Sequence, residues 1–167
     1  MGISIHTRLL NGFANYSDTT TGGSPIALTG GVWTALTNDQ AGAVTNEDFL
    51  PTGVASMMQS NKIDVSDLEL GDVILLRPDF TVTPGTNNQL MSLRYTLGTG
   101  GNAYTLPLPG SRLDQGGSQP YRFAMDSKLV YMGDANTRDN LIGLEIMTSG
   151  SGTVVNSGIA IAVIKRG

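Results

Sequence analysis

The chain has no cysteine, one histidine and few charges. Without thiols, disulfide frameworks, thiolate zinc sites and cysteine nucleophiles are excluded together. Histidine is the usual acid–base residue near neutral pH. Here it is represented by His6 alone, and nothing around it resembles a nucleophile elbow, so a Ser-His-Asp hydrolase is not expected. Asp, Glu, Lys and Arg make up 14% of the residues, against roughly 25% in typical soluble domains. The net charge is −4 and no window clusters Lys or Arg, so no nucleic-acid partner bound through phosphates is expected. There is no apolar run of about 20 residues, so no membrane partner is expected either. The opening "MGISIHTRLLNG" lacks the apolar region and cleavage site of a secretory signal. It also lacks the Ser or Thr at position six that myristoylation favours.

What the chain does have is glycine, 22 residues of it, together with abundant Thr, Ser, Asn and Val. Turn-formers mixed with β-branched residues favour strands joined by tight turns. The 167 residues fit a single domain, 1–167, large enough to bury about 70% of its unfolded surface without a staple.

Helical periodicity is nearly absent. The best candidate is "TNEDFLPTG", where Thr45 or Asn46 would cap a turn that Pro51 ends. Strand patterns dominate from residue 72. "DVILLRPDFTVT" (72–83) is β-rich, and Pro78 within it predicts an edge strand or a bulge. "QLMSLRYTLG" (89–98) alternates, with Met91, Leu93, Tyr95 and Leu97 on one face and Leu90, Ser92, Arg94 and Thr96 on the other. In "YRFAMDSKLVYM" (121–132), Tyr121, Phe123 and Met125 keep period two, and Leu129 and Tyr131 are expected in the same phase. Shorter strands are expected at 11–18, 24–29, 32–37 and 141–148. About eight to ten short strands with frequent turns predict an all-β antiparallel sandwich with almost no helix.

The last strand, "TVVNSGIAIAVIKR", is apolar on both faces. Ile159, Ile161 and Val163 share one; Ala160, Ala162 and Ile164 share the other. A strand on a solvated sheet surface alternates apolar with polar, so both faces are expected to be covered. One cover is the sandwich core. The other is a loop of the same chain or, as the smooth alanine face favours, a second subunit.

Few residues suit chemistry. Asp79, Asp126 and Glu145 are candidate carboxylates for glycoside hydrolysis, but each also fits a solvated strand face. "GTGGN" (98–102) lacks the Lys and the following helix of a phosphate loop. "GDANTRDN" (133–140) places Asp134, Asn136, Asp139 and Asn140 close together. Thr137 and Arg138 break the alternation of a calcium loop, whereas Asp and Asn are natural turn residues. A structured connection is therefore expected, with Arg138 and Asp139 in local or intersubunit ion pairs. No metal, no cofactor and no catalysis are expected.

The "TRDN" turn (Thr137, Arg138, Asp139, Asn140) precedes a penultimate strand and then the apolar strand Gly158 to Arg166. With "PDFTVTPGTNNQLMSLRYTLGTGG" (78–101), this ordering resembles small tailed-phage virion proteins over residues 72–166. The resemblance implies a trimeric jelly roll of the tumour-necrosis-factor or C1q type. It implies a head decoration protein, or alternatively a tail fibre or spike head that binds a host receptor or glycan. A decoration protein would form a homotrimer, bind and stabilise the major capsid protein lattice, and sit on the phage head surface after assembly in the host cytoplasm. Ala160, Ala162 and Ile164 would then line the trimer interface. Residues 1–20 would form a docking arm carrying Ile3, Ile5, Leu9 and Leu10. For a receptor-binding head, Trp33, Tyr104 and Tyr121 are the available aromatic platforms.

Overall fold

The computed structural model describes residues 11–166. Among these, thirteen strands carry the regular structure, more than expected because several are only two to four residues long. The larger sheet runs β10 (Tyr121–Ala124), β7 (Val73–Pro84), β13 (Gly152–Ile164), β1 (Asn11–Ser17) and β4 (Asn46–Phe49). Two more strands join it: β11 (Lys128–Tyr131) on β7 and β2 (Ile26–Leu28) on β13. The smaller sheet is β3 (Thr34–Ala35), β12 (Gly143–Thr148), β8 (Gln89–Leu97) and β9 (Tyr104–Leu113). A short pair, β5 (Met58–Gln59) and β6 (Lys62–Ile63), stands apart. The helical pieces are single turns: α1 (Thr20–Gly23), a 3-10 turn (Gly100–Asn102) and α2 (Ala135–Arg138).

The protein is an all-β antiparallel sandwich. From β7 onward the chain passes to the smaller sheet for β8 and β9, back to the larger for β10 and β11, across for β12 and back for β13. This repeated exchange is the connectivity expected of two sheets wound as a jelly roll. The core forms between the sheets because period two sends alternate residues inward. β7 contributes Ile74, Leu76, Phe80 and Val82, and β13 contributes Val154, Ile159, Ile161 and Val163. Met91, Leu93, Tyr95 and Leu97 of β8 face them from the smaller sheet, in the phase the alternation predicts.

Four expectations need correction. β7 is not an edge strand: it lies between β13 on one side and β10 and β11 on the other. Pro78 is tolerated because its carbonyl accepts Met125 N–H at the break between those two neighbours. In extended backbone, N–H and C=O share a side, so the missing donor falls in the gap. The bulge expected near Pro78 lies on its partner strand, between Asn156 and Gly158.

The segment 45–51 is not helical. Asn46–Phe49 pairs with β1, and tertiary pairing overrides the capping residues. The phase of 121–131 breaks at 125–127. Tyr121 and Phe123 pack half-buried against the core, whereas Leu129 and Tyr131 turn outward. Residues 11–20 are no arm, since β1 is an interior strand between β13 and β4 and α1 follows directly. The arm residues Ile3, Ile5, Leu9 and Leu10, and His6, lie outside the described residues.

Candidate functional site

The outer face of the larger sheet carries what the C-terminal strand foreshadowed. Residues directly opposed in an antiparallel pair project to the same side, so the register assembles rows. One row crosses five strands as Phe49, Phe13, Ala162, Leu75 and Leu129. The neighbouring row is Asn11, Ile164, Val73 and Tyr131, and a third is Asn46, Asn15, Ala160 and Arg77. Phe13, Phe49, Leu129, Tyr131 and Ile164 are 45%, 58%, 55%, 56% and 46% exposed, so the first two rows form an apolar surface facing solvent.

Between the ridges the face dips. Ala160 and Ala162 floor a hollow of about 150 Å³, walled by Phe13, Leu75, Arg77 and Ser127. The alanines matter because a larger side chain at either place would fill it. The rest of β7's outer face becomes polar: Arg77 pairs with Asp79 at 3.1 Å, and Thr81 and Thr83 continue the line. The apolar surface is thus confined to one end of the sheet.

A second concavity lies along the edge strands β9 and β11. Tyr104, Leu106, Leu129, Tyr131 and Asp134 border a groove of about 290 Å³. The Tyr104 hydroxyl lies 3.3 Å from Thr137 Oγ1, which fixes its ring at the mouth.

The stretch 133–140 is a local structure. Asp134 caps α2, its Oδ1 accepting Thr137 N–H at 2.7 Å. Asn136 accepts from Thr99 N–H and donates to Asn102 O, tying α2 to the glycine-rich turn. Arg138 donates to both carboxylate oxygens of its neighbour Asp139, at 2.6 and 3.2 Å. That bond holds the Asp139 carboxyl below the usual range and raises the guanidinium further. The pair closes within one chain. Among the described residues no three acidic or histidine side chains gather to hold a metal ion.

The candidate carboxylates do not converge. Asp79 lies on the outer face of the larger sheet beside Arg77, and Glu145 on the outer face of the smaller sheet, bonded to Arg94 at 2.7 Å. With the sandwich between them, these two cannot flank one glycosidic bond. Asp126 sits in the break between β10 and β11. Arg94 also lies over the Trp33 ring at 4.0 Å, which occupies one face of that platform. Tyr121 is half-buried against the core.

Nothing in the local sequence marks Phe13, Phe49 or Leu75 as part of a shared surface, and periodicity assigns Leu129 to the core phase; only the register makes the four neighbours.

No protein-family model matches the sequence, and no curated protein does. Among solved structures, the chain is similar to infectious bursal disease virus of the Gx strain, with a TM-score of 0.49 and 14% identity over 94% of this chain and 32% of that one. It is also similar to the Gt strain of that virus, with a TM-score of 0.49 and 10% identity over 99% of this chain and 37% of that one. The chain spans about a third of the length of the virus chains it superposes on. The chain's own strand pairings define its two-sheet fold.

Proposed function

We propose that this chain is a structural virion protein, a homotrimer that decorates a phage capsid by binding and stabilising the major capsid protein lattice. The observation that carries the reading is the apolar outer face around Ala160, Ala162 and Ile164. A surface of that kind is a liability on an isolated sandwich and useful in an assembly. The resemblance of residues 72–166 to small tailed-phage virion proteins supplies the setting. A trimer that contacts several capsid subunits only in the mature lattice stabilises that lattice by mass action, because it binds one state and not the other. Nothing in this role requires catalysis. Sedimentation equilibrium tests the trimer, with an expected mass three times the 17.5 kDa chain; a monomer at micromolar concentration overturns it. Co-sedimentation with mature phage capsids tests the location, and failure to bind them overturns the decoration role.

A different observation favours the second reading, a fibre or spike head that binds a receptor or glycan. The groove along β9 and β11 sets Tyr104 and Tyr131, 44% and 56% exposed, beside the Asp134 carboxylate. Aromatic faces with a nearby hydrogen-bonding group suit a sugar ring. Titration with a saccharide panel, followed by tyrosine fluorescence, tests it. Saturable quenching abolished by Tyr104→Ala would support the head; an unresponsive panel would remove it.

A further inference from the structure

A hole and a projecting ring stand side by side on the apolar face. The hollow over Ala160 and Ala162 measures about 150 Å³, and an apolar protein cavity of about that volume accepts a benzene ring. It is therefore sized for one phenyl group. The chain has four phenylalanines. Phe80 and Phe123 stack on each other at 5.3 Å between centroids, Phe80 fully buried and Phe123 packed on the core. Phe13 is a wall of the hollow. Phe49 remains, 58% exposed on the edge strand β4 and directly opposed to Phe13.

We propose that the occupant of the hollow is the Phe49 ring of a second copy of this chain. This contact rests on the assembly reading above and specifies how its subunits join. The area agrees. The exposed parts of Phe13, Phe49, Leu129, Tyr131 and Ile164 sum to on the order of 500 Å² if a large apolar side chain offers roughly 200 Å². A standard interface buries about 800 Å² per partner, and about 65% of a homodimer interface is apolar, so the patch supplies the apolar share of one such face. Arg77 at the rim adds a cation beside the incoming π face. Ring and hole lie on different strands, so each copy offers both halves of the contact.

The test uses the full chain in sedimentation equilibrium. Phe49→Ala removes the ring and keeps the hollow; Ala162→Phe fills the hollow and keeps the ring. Each alone is expected to weaken self-association at least tenfold while leaving the far-ultraviolet circular dichroism of the wild type; the Tm falls only by what the lost association contributes. An equal mixture of the two is expected to regain a 1:1 species, because Phe49 of one variant enters the open hollow of the other. A wild type that associates while neither variant shifts its Kd overturns this contact and leaves the assembly reading standing. Loss of association in both variants with no recovery in the mixture also overturns it. A truncation lacking residues 1–10 that associates more tightly than the full chain would assign the hollow to the chain's own N-terminal segment, against the proposal. A monomeric wild type instead removes the assembly reading itself.

Discussion

Phe13 on β1 and Ala162 on β13 are directly opposed across an antiparallel pair, so an exposed aromatic ring stands beside a residue with almost no side chain. The step in height between them makes the hollow, and Leu75 on the far side of Ala162 closes it. A sheet face built this way is shaped to receive a side chain.

Placing a charge on that floor separates assembly from folding. Ala160 is half-buried on the outer face, opposed to Asn15 and Arg77, so Ala160→Arg has room to extend into solvent in the monomer. At a closed interface the guanidinium would be buried without a partner, at a cost of about 3–5 kcal/mol. The expected result is a fall in sedimentation mass to that of one chain. Monomer stability measured in urea should change by no more than about 0.5 kcal/mol. An unchanged oligomer mass would place this face outside the interface.

Tyr16 and Tyr95 make a paired test of the core. Both are fully buried. The Tyr16 hydroxyl donates to Glu47 Oε1 at 2.6 Å and accepts Met57 N–H at 2.8 Å. The Tyr95 hydroxyl has no hydrogen-bond partner among the described residues. Burial pushes both phenols well above their ordinary pKa, and the Glu47 carboxylate adds to the effect at Tyr16. Tyr16→Phe strands a buried N–H and should cost about 1–3 kcal/mol in urea unfolding. Tyr95→Phe removes a group that pays desolvation with no return, and should be neutral or stabilising by up to about 1 kcal/mol. Equal losses from both would contradict this accounting.

The sequence made some of this legible for a physical reason. "QLMSLRYTL" alternates because one face is in the core and the other in solvent, and period two survives wherever that contrast holds. The two-faced apolar pattern of 159–164 pointed to the outer surface that the register then displayed. Three features were hidden. β4 contains Asn46, Glu47 and Asp48, which favour a helix start locally, and only pairing with β1 makes it a strand. The reversal between Phe123 and Leu129 comes from the break at 125–127, which periodicity counts straight through. The hollow gathers Phe13, Leu75 and Ala162, residues distant in sequence that three paired strands bring together.

Asp134 should behave as a cap and not as a metal ligand. Its carboxylate satisfies Thr137 N–H at the start of α2. Asp134→Ala is expected to cost about 1 kcal/mol, the usual loss for removing an N-cap, and a chelator should leave both Tm and sedimentation mass unchanged. A chelator-sensitive Tm would restore the metal reading of residues 133–140.

The bulge in β13 predicts a sensitive glycine. Gly158 has φ +147, and a Cβ there would run into the Tyr16 carbonyl oxygen of the adjacent strand. The bulge is pinned from the other side: Asn156 Oδ1 accepts Gly158 N–H at 2.9 Å, and Asn156 Nδ2 donates to Thr37 O at 2.7 Å. Gly158→Ala combines backbone strain with a clash against main chain that cannot move alone, and should cost about 3 kcal/mol or more. A loss below about 1 kcal/mol in urea unfolding would mean that the two strands separate easily at this point.

Acid stability should report on Asp39. Its carboxylate accepts from the Thr19 and Thr20 hydroxyls, both at 2.6 Å, and from the N–H groups of Ala41, Thr19 and Thr20. The Thr19 hydroxyl, followed by that of Thr20, holds its pKa below the ordinary value. A depressed folded pKa means the unfolded chain takes up the proton first. The stabilisation is therefore complete above the ordinary aspartate pKa of about 3.9 and is lost as pH falls through the folded value. Asp39→Asn keeps the size but cannot hold a charge. The wild type should exceed it in Tm by a constant margin between pH 5 and 7, and that margin should shrink steadily towards pH 2. A margin that stays constant down to pH 2 would show that Asp39 holds α1 through shape alone, with no contribution from its charge.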